Sequence, residues 1–457
     1  MNRRGTCKTS AQNGHDRAWP SKNRYEPALL HWRDALCRVR RRFCKCLEKK
    51  TFISIAALLL SVPLLPVQGA DERVVQLEQV LALGQLTSPP RTFDAEGRTP
   101  EGDARAIFFE ALPYQGRPTR VFAWLGVPKK RAGKIPGVVL VHGGGGTAFK
   151  EWVQRWKERG YAAISIAVEG QTDEKAAKGQ EATETGWKRH AWAGPQRVGI
   201  YSDSAKPLEE QWIYHAVADT VLANSLLRAL PEVDASKIGV MGVSWGGVIT
   251  STVIGLDARF AFAIPVYGCG HLFDADNQYG RALGANTLYR EVWDPMARLG
   301  RVTMPVLWFS WPEDKHFPMD CLAASYRATS GPRMVSLIPG MKHGHGPAWL
   351  APDSYAFADS VVQTGTPWFK HMRTEVVGGR ACFVFSSAKI PKSATLVSTT
   401  DTGVTGSRTW IETQATVEKQ GDEWRANAPL PAGTTAWFIN IRSGPLTASS
   451  EFQEVKM

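Results

Sequence analysis

From residue 119 onward, continuous apolar runs alternate with stretches of helical period. TRVFAWLGVP (119–128) and IPGVVLVHGGGG (135–146) read as strands, FKEWVQRWKERG (149–160) as an amphipathic helix closed by glycine, and YAAISIAVEG (161–170) as another strand. The long helical stretch LEEQWIYHAVADTVLANSLLRAL (208–230) precedes KIGVMGVSWGG (237–247), a strand running into a sharp turn. FAFAIPVYGCG (260–270), MPVLWFSW (304–311) and PRMVSLIPG (332–340) are further buried strands, and SYAFADSVVQTGTPWFKHM (354–372) supplies a final helix. Upstream, EQVLALGQL (78–86) is a short helix. Strands that are apolar throughout and separated by helices predict a mostly parallel sheet covered on both faces, with ligands beyond the C-terminal strand ends. The fold class is α/β.

Two stretches break this rhythm. Residues 171–206 have no steady period, and their WKRHAWAGP portion is rich in aromatics suited to lining a pocket. Residues 271–300 form a second insertion, expected at the rim of a site. After about residue 374 the period changes to two, in runs such as ACFVFSSAK, ATLVSTTD and TTAWFINIRS separated by turn residues. A small antiparallel β-sandwich is expected there, as a packing module or as a glycan- or surface-binding one. The expected organisation is thus a leader over 1–70, an α/β core over 71–373 and a β-domain over 374–457.

The leader changes how the charge is read. Of the net charge of +12, an excess of ten comes from the first 50 residues, which hold fourteen Lys or Arg and four Asp or Glu. No basic stripe interleaved with aromatics follows, which argues against nucleic-acid binding. The basic run before the apolar segment at about 52–67 and the small-residue exit after it predict export to the periplasm or the extracellular space. Membrane contact is expected only if this leader stays uncleaved as an anchor. Cys7, Cys37, Cys44 and Cys46 fall in the leader. Of the remaining Cys269, Cys321 and Cys382, the first two are the most plausible disulfide pair, as both are expected near the ends of core strands. Nothing in the sequence fixes the oligomeric state.

The candidate chemistry sits at the strand ends. Gly242-Val243-Ser244-Trp245-Gly246 fits G-x-S-x-G at a strand-to-helix turn, where the serine hydroxyl is presented as a nucleophile. Such a serine needs a base, and the base needs an acid to hold its tautomer, in the chain order Ser, Asp or Glu, His. Asp314, preferred to Glu313, follows the strand MPVLWFSW, and GMKHGHGP with His343 and His345 follows the next strand. His142 and the four glycines after it can turn backbone N–H groups inward, so Gly144 or Gly145 together with Trp245 is expected to form an oxyanion hole. The rival reading is a metal site joining His343 and His345 to Asp314 or His316. It lacks a recognised metal motif and leaves the serine elbow unexplained.

These residues, together with YHAVADTVLANSLLRALPEVDASKIGVMGVSWGG, PVYGCG and GMKHGHGPAW, resemble the dienelactone hydrolase and acetylxylan esterase-like branch of the α/β-hydrolase superfamily, which borders the prolyl oligopeptidase family. The resemblance covers roughly residues 105–370. It implies ester hydrolysis by a Ser-Asp-His triad without cofactor or metal, with Ser244 as nucleophile, Asp314 as acid and His343 as base. The Ser310-Trp311-Pro312-Glu313 lead into the acid replaces the glycine-led turn usual in relatives. A small-molecule or carbohydrate ester is the implied substrate. Trp187, Arg189, His190, Trp192, Tyr267, His345 and Trp349 are candidate substrate-binding residues, with Arg189 a candidate for an anionic group. The alternatives are a prolyl oligopeptidase-like serine peptidase and a non-catalytic glycan- or surface-binding protein on the same fold.

Overall fold

The computed structural model describes residues 68–98 and 104–455. The expected leader, its apolar segment, its four cysteines and its role in export or anchoring lie outside those residues. Among the described residues, no helix is long and apolar enough to cross a membrane.

The apolar runs pair into a nine-stranded mixed sheet in the order β1-β2-β3-β5-β4-β8-β9-β10-β11. Its members are β1 (Thr92–Asp94), β2 (Ala104–Tyr114), β3 (Arg117–Gly126), β4 (Ile135–Val141), β5 (Ala162–Ile166), β8 (Val233–Val243), β9 (Phe262–Val266), β10 (Val306–Ser310) and β11 (Arg333–Leu337). The six strands from β5 to β11 in this order pair in parallel, while β1, β2 and β3 add an antiparallel flank. The aperiodic stretch after β5 contains a small hairpin of β6 (Gln171–Lys175) and β7 (Trp187–Arg189).

Helices cover the sheet. They include α1 (Gln68–Ala82), α2 (Lys150–Glu158), α3 (Trp212–Ala229), α4 (Trp245–Val253), α5 (Met319–Ala328) and α6 (Asp353–Thr364). Helix α3 buries fifteen of its eighteen residues between the sheet and the chain segment following α1, which is why its sequence is apolar nearly all round. The final helix is shorter than its sequence pattern. Gly365, at φ 79°, donates its N–H to Val361 and closes α6, and Pro367 follows. Phe369–Met372 therefore begin a strand.

That strand, β12 (Phe369–Val377), opens the C-terminal unit with β13 (Arg380–Ser387), β14 (Ser393–Thr399), β15 (Ile411–Gln420), β16 (Glu423–Pro429), β17 (Ala436–Ser443), β18 (Leu446–Ser449) and β19 (Gln453–Glu454). The expected sandwich is all-β and antiparallel, but its pairing links all eight strands into one continuous sheet in place of two separate ones.

This unit closes the free edge of β11. Leu337 donates its N–H to Ser449 Oγ at 2.9 Å, Ser449 donates to Asn440 Oδ1 at 2.6 Å, and Asn440 Nδ2 returns to the Leu337 carbonyl at 2.8 Å. An open edge strand invites non-native pairing, and this buried ring of three bonds satisfies it. Replacing Asn440 with alanine orphans the Leu337 carbonyl and should destabilise the protein by about 1–3 kcal/mol. Thermal unfolding of N440A beside wild type checks this; an unshifted transition would show that the ring carries little.

Cys269 and Cys321, the most plausible pair had a disulfide formed, are both buried free thiols. Cys321 lies inside α5 and not at a strand end, where its Sγ donates to the His271 carbonyl at 3.3 Å.

Candidate active site

Strand β8 ends at Val243 and α4 begins at Trp245, so the whole change of direction falls on Ser244, at φ 58° and ψ −118°. A non-glycine residue held at positive φ stores backbone strain of about 1–3 kcal/mol and persists where its surroundings over-determine it. The glycines on either side supply that constraint by permitting close packing. A Cβ on Gly242 would run into the carbonyl of Gly246, and one on Gly246 into the carbonyls of Val141 and His142.

The loop after β11 brings His343 over this serine, with Nε2 2.9 Å from Ser244 Oγ and Nδ1 2.8 Å from Asp314 Oδ2. With Nδ1–H donating to the carboxylate, Nε2 is left as the acceptor for the hydroxyl. Asp314, at 1% exposure, also accepts from the N–H groups of His316 and Phe317 at 2.8 and 3.0 Å and from Trp311 Nε1 at 3.2 Å. Four donors hold that carboxylate in one orientation. Glu313 instead meets only the N–H of Gly340, at 3.5 Å and in an exposed position. The His343 ring is clamped by Tyr267 at 4.5 Å and by Phe317, stacked at 5.9 Å. The C-terminal unit reaches this loop too: Thr405 Oγ1 accepts from Met319 N–H at 2.8 Å, and Gly406 packs so closely on Asp314 that a Cβ there would strike its carbonyl.

The glycine loop after β4 is fixed from three sides. His345 Nε2 accepts the N–H of Gly143 at 2.9 Å, which requires a neutral ring, and burial pushes this histidine down to about 4. His142, buried and pushed down to about 3 by desolvation, bonds through Nδ1 to the Gly143 carbonyl at 2.7 Å. Its Nε2 accepts from Val168 N–H and Gln171 Nε2, both at 3.0 Å, and Gln171 also donates to the Gly146 carbonyl at 3.1 Å. Trp187 Nε1 donates to the Gly145 carbonyl at 2.8 Å. Gly143 lies closest to the serine, since a Cβ there would be 2.8 Å from Ser244 Cβ. With the Gly143 N–H taken by His345, the Gly144 N–H is the next donor along the loop. The Trp245 N–H, at the first helical position, is an orphan of the helix start.

Several candidate binding residues serve the scaffold. Arg189 does not face an anionic ligand, because its guanidinium is committed to Glu181 at 2.8 Å, the Gly194 carbonyl at 2.6 Å and the Glu169 carbonyl. Trp187 braces the glycine loop and carries Lys175 over its ring at 3.5 Å. His190 packs edge-on against Phe108 at 4.9 Å, and Trp192, 41% exposed, stacks with Arg120 on β3. Trp349 is wedged against Phe149 and Trp152, and Tyr267 is fully buried, its hydroxyl donating to the Lys342 carbonyl at 2.8 Å. The rival metal reading finds its histidines with their nitrogens turned to different partners, and no cluster of three or more His, Cys, Asp or Glu among the described residues is placed to hold a metal ion. Sequence reasoning missed Gln171, Phe317 and Arg197. Gln171 and Arg197 lie in the aperiodic stretch after β5, and Phe317 in the short loop between β10 and α5.

Residues 102–292 match the family model for acetyl xylan esterase (AXE1). Among solved structures, the chain is similar to an acetyl xylan esterase from Paenibacillus sp. R4, at 21% identity over 60% of this chain and 90% of that one, with a TM-score of 0.47. It is similar to an acylaminoacyl peptidase from Pyrococcus horikoshii at 18% identity, covering 55% of this chain and 40% of that one, with a TM-score of 0.41. A putative dienelactone hydrolase from Klebsiella pneumoniae shares 18% identity over 54% of this chain and 90% of that one, with a TM-score of 0.37. A search of curated proteins finds no match. With its parallel strands and its strained serine elbow between β8 and α4, the chain has an α/β-hydrolase-like core, part of which, residues 102–292, matches the acetyl xylan esterase model.

Proposed function

We propose that the protein is an exported serine carboxylic-ester hydrolase acting on acylated carbohydrate or a related small ester. The observation that carries this reading is the unbroken line from Asp314 through His343 to Ser244, with spacings of 2.8 and 2.9 Å. The match of residues 102–292 to the acetyl xylan esterase model favours an ester over an amide.

In this reading, His343 Nε2 takes the Ser244 proton as Oγ attacks the ester carbonyl, and Asp314 stabilises the imidazolium that forms. The Trp245 and Gly144 N–H groups receive the developing oxyanion, fixed in advance by the hydrogen bonds around the glycine loop. His343 then gives its proton to the leaving alcohol. Water, deprotonated by the same histidine, cleaves the acyl-enzyme and restores the serine. His345 acts on the reaction through Gly143, as a positioning residue.

A fluorophosphonate probe tests the reading directly, because it reacts with an activated serine and not with an ordinary hydroxyl. Mass spectrometry should find the label on Ser244. A protein that remains unlabelled would favour a non-catalytic hydrolase fold, and a label on another residue would move the nucleophile away from Ser244. Acetylated xylans, methyl-glucuronate esters and feruloyl esters then narrow the substrate.

A further inference from the structure

Arg197 belongs to none of the motifs, yet its guanidinium reaches the edge of the site. Its Nη2 lies 3.3 Å from the point where a Cβ on Gly144 would stand, and its Cζ is 5.6 Å from the centre of the Trp245 ring. Gly144 and Trp245 are the two residues proposed above to supply the oxyanion donors. The side chain is 13% exposed, so a group approaching this edge would meet a largely desolvated cation.

What distinguishes Arg197 is the edge it leaves without a hydrogen bond. Nη1 donates to the Gly199 carbonyl at 2.7 Å. The opposite edge, formed by Nε and Nη2, is one that can fork onto a carboxylate with two parallel bonds. Here it faces Glu169 Oε1 at 3.6 Å and Glu184 Oε2 at 3.9 Å, both beyond hydrogen-bonding distance, and Nε is buried without an acceptor. Scaffold arginines in the same molecule look different. Arg189 engages both edges of its guanidinium, and Arg259 forks onto Asp257 with two bonds of 2.7 Å.

The two glutamates pair with this edge at ion-pair distance only, without closing a hydrogen bond. Glu184 is half exposed and interacts through solvent, and burial pushes Glu169 up to about 7, so a fraction of it is protonated at neutral pH. A guanidinium edge whose buried Nε lacks a hydrogen-bond acceptor therefore lies beside the oxyanion loop.

We infer that Arg197 anchors a carboxylate carried by the substrate, so the preferred substrates are esters whose acyl or alcohol part bears a free carboxylate close to the scissile bond. A uronic-acid-type sugar on the alcohol side and a dicarboxylic half-ester on the acyl side share that chemistry. The inference rests on the serine-esterase reading and adds the charge of the substrate to it.

The test compares wild type, R197M and R197K on two matched pairs. The acyl arm sets mono-p-nitrophenyl succinate, corrected for its spontaneous hydrolysis, against p-nitrophenyl butyrate. The alcohol arm sets O-acetyl glucuronic acid against O-acetyl glucose. Wild type should prefer the carboxylate member of one pair, and the arm in which it does so identifies the side that carries the acid. In R197M, the ratio of kcat/KM for the carboxylate member to that for its neutral partner should fall by about tenfold or more, chiefly through KM. R197K keeps the charge beside Glu169 but loses the fork, and should fall between the two; it carries the same comparison should R197M not fold. Equal losses on both members, or no preference in wild type in either arm, would overturn the inference while leaving the esterase reading intact. Turnover of all four esters that S244A matches would instead overturn the serine mechanism itself.

Discussion

Replacing Ser244 with alanine is expected to lower kcat for p-nitrophenyl acetate by on the order of 10⁴- to 10⁶-fold, with KM changed by less than about threefold. The size of the loss follows from the geometry. Ser244 Oγ is the one atom that both bonds to His343 Nε2 and projects from the elbow beside the glycine loop. Alanine at this position suffers the same positive φ as serine, so the elbow gains no new strain and folding should be preserved. What remains in S244A is the oxyanion hole without a nucleophile, able at most to assist attack by water. Steady-state kinetics with a circular-dichroism control decides the matter. Near wild-type turnover in a folded S244A would remove the covalent mechanism and return attention to a different catalytic centre.

The parts of this molecule that were legible in the sequence are those where one physical rule dominates. Strands β4, β5, β8, β9, β10 and β11 are buried on both faces, so their apolar runs cannot be satisfied in any half-exposed element. The elbow was legible because G-x-S-x-G is a contiguous signature: the Gly246 carbonyl four residues on requires Gly242, although Gly246 is itself required by the carbonyls of Val141 and His142, which only the fold brings near. Asp314 and the histidine pair could be located because each follows a strand. Choices decided by contacts distant in sequence were not legible. Arg189 and Arg197 lie eight residues apart in the same aperiodic loop, and only the folded chain shows that Glu181 and two carbonyls engage the first while the second keeps an edge without a hydrogen bond. The aromatics of that loop gave the same difficulty: Trp187 binds the Gly145 carbonyl, while Trp192 stacks on Arg120. The start of α5, which carries Cys321, is weakly marked in the sequence, because its preceding residue is Pro318 and no side chain caps it. The continuity of the C-terminal sheet depends on pairings such as β13 with β16 and β14 with β17, which period-two patterning does not specify.

The two histidines of GMKHGHGP should separate cleanly by mutation. H343A removes the group bonded to both Ser244 and Asp314, and kcat should fall by roughly as much as in S244A, because nucleophile and base act as a unit. H345A removes the acceptor of the Gly143 N–H and loosens the oxyanion loop without touching the proton path. Its expected cost is on the order of 10- to 10³-fold in kcat, the range for an impaired oxyanion donor. The conservative variants sharpen the contrast. In H345Q the carboxamide oxygen can accept from Gly143 in place of Nε2 and should recover a good part of the activity. H343Q should recover none, because an amide does not take up the serine proton. The double variant S244A/H343A should be no slower than either single variant, whereas H345A should still lower the rate of an otherwise intact Ser244–His343 pair. If H343A kept near wild-type turnover and H345A lost it, the two roles would be exchanged, and the 2.9 Å approach of His343 to Ser244 would be a packing contact only.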